Sequence, residues 1–478
     1  MKKLIYILVS LVVLGGCQTI DPFEVVNPNL SEEAVLGQPN SSQIWLNGIE
    51  RQTAIAMNWL TIPCEIASDN YVNLQTFYNQ FLDDLDIQFQ DNDMNLAHRG
   101  IGRVRASALY GLSTMGPQDP NYSEETEAAY NLYAGLAYLW GGMYFRELPG
   151  EPTGALLPRE DHFNAAISYF TAALDIDASN AAALLGRARA HYRLGNKAQA
   201  VADANAAIAA DPALLVNANF DPVNAAGNRS GFNYTKNDLQ LAIQERGNFD
   251  DLQPLPRLDF LDPKLYSISA TEDSPIALMK IEEAHLILAE AQLSDGDLPA
   301  AQQTMKNIIA LVATRPTATF DDSTEDRFER DPGSRPDTSA VVVDGKTGLV
   351  LDRKDGPVTV PTVSGTSLTD ADIDALNTAE EALAALYLMR QEIFIAEGRR
   401  SVDMGLTWVI SEIEALQNDN IGEGHPSTLP DIPPFIDAVK ADIDAFDYDP
   451  DALTCTITVD INAIIAANAT SDYVCPFH

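Results

Sequence analysis

Residues Asn180 to Pro212, NAAALLGRARAHYRLGNKAQAVADANAAIAADP, carry small residues at the spacing that a packed helical hairpin demands: Ala188, Gly195, Ala200 and Ala207, closing on Pro212. Alanines let two antiparallel helices approach closely. Gly195 supplies backbone freedom at the end of the first helix, and Pro212 stops the second. One period upstream, Ala166, Phe170 and Ala173 occupy the equivalent positions of a preceding helix. Far downstream, Ala289, Gly296 and Ala301 reproduce the Ala188, Gly195, Ala200 spacing within HLILAEAQLSDGDLPAAQQTMKNII. A single hairpin cannot bury its apolar face, so units of this kind stack on one another, and the chain is constrained to be mainly helical.

The spacing resembles the tetratricopeptide repeat, whose period is about 34 residues. Ordinary helical hairpins of an all-α protein would show it too. The expected fold class is all-α (mainly), with tetratricopeptide-like helical hairpins forming a right-handed superhelical scaffold, irregular insertions and a few short β-hairpins. Residues Glu124 to Tyr144 read as a long helix that Phe163 to Leu174 completes into a hairpin, with LPGEPTGALLPRED as an inserted loop between them.

The N-terminus sets the expected compartment. Lys2 and Lys3 precede an apolar run from Leu4 to Leu14, followed by Gly15, Gly16 and Cys17. This is the pattern of a secretory signal peptide closing on a lipobox, in which small residues precede the cleaved bond and the cysteine thiol takes the lipid. The run is shorter than the roughly 20 residues needed to span a bilayer. Residues 1–16 are therefore expected to be removed, Cys17 to be acylated, residues 17–30 to form a tether, and 31–478 to form one α-rich domain.

The formal net charge of -39 repels nucleic acid and anionic membrane and excludes both as expected partners. Of the four cysteines, Cys455 and Cys475 flank CTITVDINAIIAANATSDYVC and could be bridged in an oxidising compartment, whereas Cys64 reads as a buried small hydrophobe. No CxxC pair, HExxH or GxSxG occurs, which argues against zinc ribbons and the common hydrolase sites.

Between the signal and the repeats, Glu32 to Leu60 has helical periodicity, and ASDNYVNLQTFYNQF follows with its aromatics and amides. Tyr71, Asn73, Phe77 and Tyr78 are candidates for a stacking platform, on which sugar faces lie against rings while amides read hydroxyls; the alternative is that they are core. His98, Arg99, Arg103 and Arg105 form a basic patch on a helix near Asn95 to Leu112. The repeat scaffold is expected at about 124–212 and 276–312, and irregular insertions at about 213–275 and 313–368. In the second insertion, VVVDGKTGLVLDRKDGPVTV places two Asp-Gly pairs between β-branched runs and predicts short hairpins. The acidic run DDSTEDRFERD could hold structural calcium, but it lacks the oxygen spacing of an EF-hand loop, and a solvated loop is the simpler reading. No cofactor is expected.

The stretch LYLMRQEIFIAEGRRSVDMGLTW, in a signature helix spanning about 378–408, resembles the C-terminal signature of the SusD/RagB family of surface lipoproteins. The match falls on Arg390, Phe394, Glu397, Gly398, Arg400, Asp403 and Met404, while Met389 and Ile393 stand where glutamates are usual. The segment MKIEEAHLILAEAQLSDGDLPAAQQTMKNIIALV is similar to a helix-rich segment of the same family. Read from its residues, Glu397, Arg400 and Asp403 are spaced to share a helix face or terminus, and with Arg390 they predict a buried structural ion-pair network. A catalytic carboxylate pair is excluded, because an interleaved arginine would keep both groups ionised.

The resemblance implies a non-enzymatic, lipid-anchored protein on the outer-membrane surface of Bacteroidota. Such a protein captures oligosaccharides, or peptides in the RagB branch, and delivers them by lid closure to a SusC-like TonB-dependent barrel transporter. A tetratricopeptide-type envelope scaffold without a small-molecule ligand is the remaining alternative. Under the family reading, the repeats face the transporter and the irregular segments hold the ligand.

Overall fold

A computed structural model of the chain describes residues 35–73, 79–221, 236–243, 252–265, 272–321, 333–352 and 356–478. Cys17 with its lipobox, the tether, Phe77, Tyr78 and all but the first residue of the acidic run lie outside these residues.

Twelve helices and twelve short strands carry the architecture described here. Helices α1 (Ser41–Ile66), α2 (Asn92–Tyr110) and α3 (Glu124–Tyr144) pack against one another. Helix α4 (Arg159–Ile176) packs along α3, and α5 (Ala181–Arg193) and α6 (Lys197–Ala210) follow as the hairpin anticipated from the small-residue spacing. Then α6 packs on α7 (Glu282–Ser294), which pairs with α8 (Leu298–Val312). Helix α9 (Ala379–Phe394) closes the stack against α7 and α8. The remaining helices are α10 (Arg400–Asp403), α11 (Glu412–Gln417) and α12 (Ile461–Ala467), the last lying on α9. The downstream hairpin thus stacks directly on the upstream one although some 70 residues separate them.

Local chemistry explains the boundaries. The Ser123 Oγ accepts from the Thr126 N–H at the start of α3, and Glu124, Glu125 and Glu127 complement the positive end of its dipole. Asn180 caps α5 by accepting from the Ala183 N–H. Thr378 and Glu381 form a capping box on α9. Ala166, Phe170, Ala173, Ala188, Ala200, Ala207, Ala289 and Ala301 are all fully buried at the helix crossings, as their spacing requires.

Gly195 and Gly296 end the first helix of each hairpin with φ of +70° and +76°. A Cβ on Gly296 would meet nothing within 4 Å, whereas one on Gly195 would lie 3.0 Å from the Pro476 carbonyl oxygen. Gly296→Ala is therefore expected to cost about 1 kcal/mol, from the left-handed backbone alone. Gly195→Ala should cost measurably more in a urea titration. Equal midpoints for the two variants would refute the contribution of the Pro476 contact.

The strands are two to five residues long. The expected loop between α3 and α4 is a hairpin of β2 (Glu147–Pro149) and β3 (Leu156–Pro158), which follow β1 (Tyr71–Asn73) in the chain. Strand β4 (Leu215–Ala218) pairs with β6 (Ile276–Lys280), and β5 (Leu252–Pro254) pairs with β1. Strand β7 (Thr317–Asp321) precedes β8 (Val342–Val343) and β9 (Lys346–Thr347), which form the anticipated Asp-Gly hairpin with positive φ at both Asp344 and Gly345. The strand after the second Asp-Gly, β10 (Pro357–Pro361), pairs instead with β7, about 40 residues upstream. Strands β11 (Phe446–Asp449) and β12 (Thr454–Ile457) join β8 and β9 in the order β11-β12-β8-β9.

That last sheet corrects the expected bridge between Cys455 and Cys475. Cys455 pairs across the sheet with Val343 and Tyr448 and belongs to a small apolar cluster with Val341, Leu349 and Val350. Cys475 lies in the main core, where its N–H donates to the Tyr387 hydroxyl. Both thiols are free, because two separate apolar clusters hold them. Cys64 is buried as expected, and burial pushes its thiol up to about 12, which leaves it inert as a nucleophile.

Candidate functional site

The EGRR stretch sits where α9 breaks. Ala396 and Gly398 have φ of +62° and +67°, so the helix ends at Phe394 and Glu397 to Arg399 lie in a turn before α10. The helix expected through residue 408 is interrupted here. The ion-pair network is buried, and Arg390 pairs with Asp403 within it, while Glu397 and Arg400 reach across the fold to partners outside it. The Asp403 carboxylate accepts from Arg390 on α9 at 2.9 Å and from Arg193 on α5 at 2.7 Å. Arg400 grips Asp69 with two nitrogens, at 2.5 and 2.8 Å, and donates to Asn462 on α12. Lys264 and Lys280 both donate to Glu397 Oε1, at 2.8 and 2.6 Å. Arg399 shares Glu283 of α7 with Arg189 of α5. The reason is the turn's geometry, which splays residues 397, 399, 400 and 403 toward different helices.

Burial alone would raise the Asp403 and Glu283 carboxyls. Arg390 and Arg193 around Asp403 outweigh it and hold that group well below the usual range, while Arg189 and Arg399 hold Glu283 at about 2. Neither group can act as a general acid near neutral pH, so this centre is a brace. Around it, Gln391 links Asn70 to Asn462, and the Glu65 carboxylate accepts from the Gly398 N–H.

The proposed stacking platform fares differently. Tyr71 and Asn73 lie on β1 at 0 % exposure, paired with β5, and a ring buried on both faces offers no surface to a ligand. Of the basic patch, Arg105 is buried over the Tyr138 ring and His98 lies near Glu414, while Arg99 and Arg103 remain exposed. Trp140 and Trp408 are core.

A cleft of about 460 Å³ opens elsewhere, lined from three segments distant in sequence. Asn47, Glu50, Arg51 and Ala54 stand at helical spacing on one face of α1; Tyr133 comes from α3. Asn217 and Ala218 at the end of β4, with Asn219 and Asp221 just beyond it, form the third wall. Tyr133 is half-buried. Burial pushes its phenol up, and the neighbouring Glu50 carboxylate adds to this. Neither Glu50 nor Arg51 has an ion-pair partner among the described residues. The arrangement pairs one ring with amide donors and acceptors, two carboxylates and a guanidinium, the groups that hydroxyl-rich ligands require. Among the described residues no serine, cysteine or histidine lines it. Among the described residues no group of three or more His, Cys, Asp or Glu is placed to hold a metal ion, and no helix is long and apolar enough to cross a membrane. The alternation Asn217-x-Asn219-x-Asp221 was visible in the sequence, but nothing local links it to α1 or Tyr133.

Solved structures share this arrangement of helices. A candidate sugar-binding protein from Bacteroides vulgatus superposes with a TM-score of 0.51 over 81% of this chain and 98% of its own, at 12% identity. A SusD superfamily protein from Bacteroides fragilis gives 0.49 over 81% and 99% of the two chains, at 14% identity. The chain shares the fold of the first of these two. A SusD-like carbohydrate binding protein from Bacteroides vulgatus matches 76% of this chain and 82% of its own with a TM-score of 0.46 and 13% identity. No family model matches the sequence, and no curated protein matches it. Identities this low speak for a shared fold alone.

Proposed function

We propose that this chain is a non-enzymatic, lipid-anchored binding protein of the SusD/RagB kind, which captures oligosaccharides at the cell surface and hands them to a TonB-dependent barrel transporter. The carrying observation is the cleft between α1, α3 and β4: a half-buried tyrosine ring beside three asparagines, two carboxylates and a guanidinium suits a sugar's apolar face and its ring of hydroxyls. The carbohydrate-binding neighbours in fold support the same class of ligand. On this reading residues 1–16 are the signal peptide, Cys17 carries the lipid, 17–30 are the tether and 31–478 form one domain. Phe77 and Tyr78 remain candidates for additional stacking contacts. Binding needs no bond-breaking step; ligand touching both lid and barrel stabilises the closed state by its differential affinity.

Calorimetry of the full mature chain in detergent against a panel of neutral oligosaccharides tests the site. Tyr133→Ala is expected to weaken binding at least tenfold, about 1.4 kcal/mol, with little change in thermal midpoint. Wild-type affinity in that variant would remove the cleft from ligand capture. Binding of peptides with no glycan bound would favour the RagB-like reading.

A further inference from the structure

Resting on the reading of the chain as a glycan-capturing protein, we propose that Arg105 of α2 forms a recognition point apart from the cleft. It receives there the carbonyl oxygen of an acetamido group, which makes N-acetylated amino sugars the preferred ligands. Arg105 is 6 % exposed and makes no hydrogen bond or ion pair with the described residues. The five other described arginines of like burial, Arg189, Arg257, Arg390, Arg399 and Arg400, each meet a carboxylate at 3.7 Å or less. A buried charge without a partner is costly, so a position that keeps one serves something other than stability. The guanidinium is not sealed off. Fully buried polar atoms without a partner include Nε of Arg257 and of Arg399, but no atom of Arg105. A substituent of a ligand can therefore reach its nitrogens, although a whole sugar ring cannot.

Aromatic rings flank the place. The guanidinium lies 5.5 Å from the Tyr138 ring centre, and Tyr138 stacks on the half-buried Tyr169 of α4 with centroids 5.5 Å apart and planes at 11°. Such faces suit a flat amide and its methyl group. Burial lowers the guanidinium below its ordinary value, while Tyr138, Glu414 and Glu151 act in the other direction. Neither carboxylate forms an ion pair with it. Glu414 accepts from Asn418 at 3.1 Å and lies 3.8 Å from His98, and Glu151 is exposed on the β2–β3 turn. Burial keeps His98 and His162 neutral near pH 7, so neither adds a cation. An anionic ligand group would bring a third negative charge to this one guanidinium, whereas a carbonyl oxygen supplies the missing acceptor with no charge.

Calorimetry of the full mature chain compares oligomers of N-acetylglucosamine, glucose and glucuronate with one length and linkage. The N-acetylated oligomer is expected to bind at least tenfold more tightly than the glucose oligomer, about 1.4 kcal/mol, and the glucuronate oligomer no more tightly than the glucose one. Arg105→Met should abolish that preference, leave glucose binding intact, and keep or raise the thermal midpoint, because no pair is lost. Arg105→Lys keeps the charge but not the planar fork, and should hold the wild-type midpoint while losing most of the preference. Equal wild-type affinities for the first two oligomers, tightest binding of glucuronate, or a preference unchanged in Arg105→Met would each overturn the assignment and leave sugar capture standing. A midpoint lowered by several degrees in both variants would make Arg105 a structural residue and overturn it as well. Failure of the wild type to bind any glycan would overturn both readings.

Discussion

Arg400→Ala is expected to lower folding stability by about 3–5 kcal/mol, read as a shift in the denaturant midpoint. The Arg400 guanidinium is the cation that both oxygens of Asp69 meet, and both residues are within 2 % of full burial. Its removal leaves a carboxylate in a dry site with no compensating charge, and it also strips Asn462 of a donor. Arg400→Lys should recover part of the loss, since an ammonium keeps the charge but cannot reproduce the two-pronged grip. A double replacement, Arg400→Met with Asp69→Leu, should cost far less than the single one, because it removes the buried charge together with its partner. A wild-type midpoint for Arg400→Ala would show that water reaches Asp69 and that the brace is not structural.

The second large effect is on pH dependence, with a stability maximum expected at roughly pH 4–5 and losses on both sides. Glu283 is held at about 2 against an ordinary 4.5, and Asp403 lies lower still. Groups depressed in this way contribute stability that is present above the unfolded pKa and is lost as pH falls through the folded one. For Glu283 the contribution is on the order of 3 kcal/mol, lost between about pH 4.5 and 2. Asp238 behaves oppositely. Burial raises it from 3.8 to about 7 despite the nearby Lys236, so its contribution is present below 3.8 and lost as pH rises through 7. Glu65, Glu290 and Glu392, also raised by burial, act in the same direction. Glu283→Gln should flatten the acid limb and Asp238→Asn the neutral limb of a stability–pH profile. A profile rising steadily from pH 4 to 8 would refute the second half of this account.

Helical hairpins were legible in the sequence because their signal is local: a small residue every three or four positions, a glycine at one helix end and a proline after the other. So was the first Asp-Gly hairpin, whose turn chemistry lies within six residues. The bridge between Cys455 and Cys475 was misread because spacing along the chain says nothing about which cluster a strand joins; β12 is drawn to β8 by pairing across more than 100 residues. The network residues Arg390, Glu397, Arg400 and Asp403 were recognised as buried charges, and Arg390 does pair with Asp403, but the remaining partners were not legible. Asp69, Arg193, Lys264, Lys280 and Glu283 come from segments that only packing brings together. Tyr71 and Asn73 had the composition of a binding surface, and pairing with β5 buried them.

The sequence by itself determined a stacked, mainly helical frame, where its turns fall, and that its signature stretch would be a structural brace without acid–base chemistry. Those properties follow from period, turn residues and charge type, which are written within a few residues of one another. Only the tertiary structure decided which charges meet and which segments line the cleft proposed for the ligand. The cleft joins residues 47–54, Tyr133 and 217–221, and no local rule relates an α1 face to the alternation of a strand more than 160 residues away. Long-range packing sets that relation, because helices stack by the shapes of their apolar faces and carry their polar faces wherever the stack directs them.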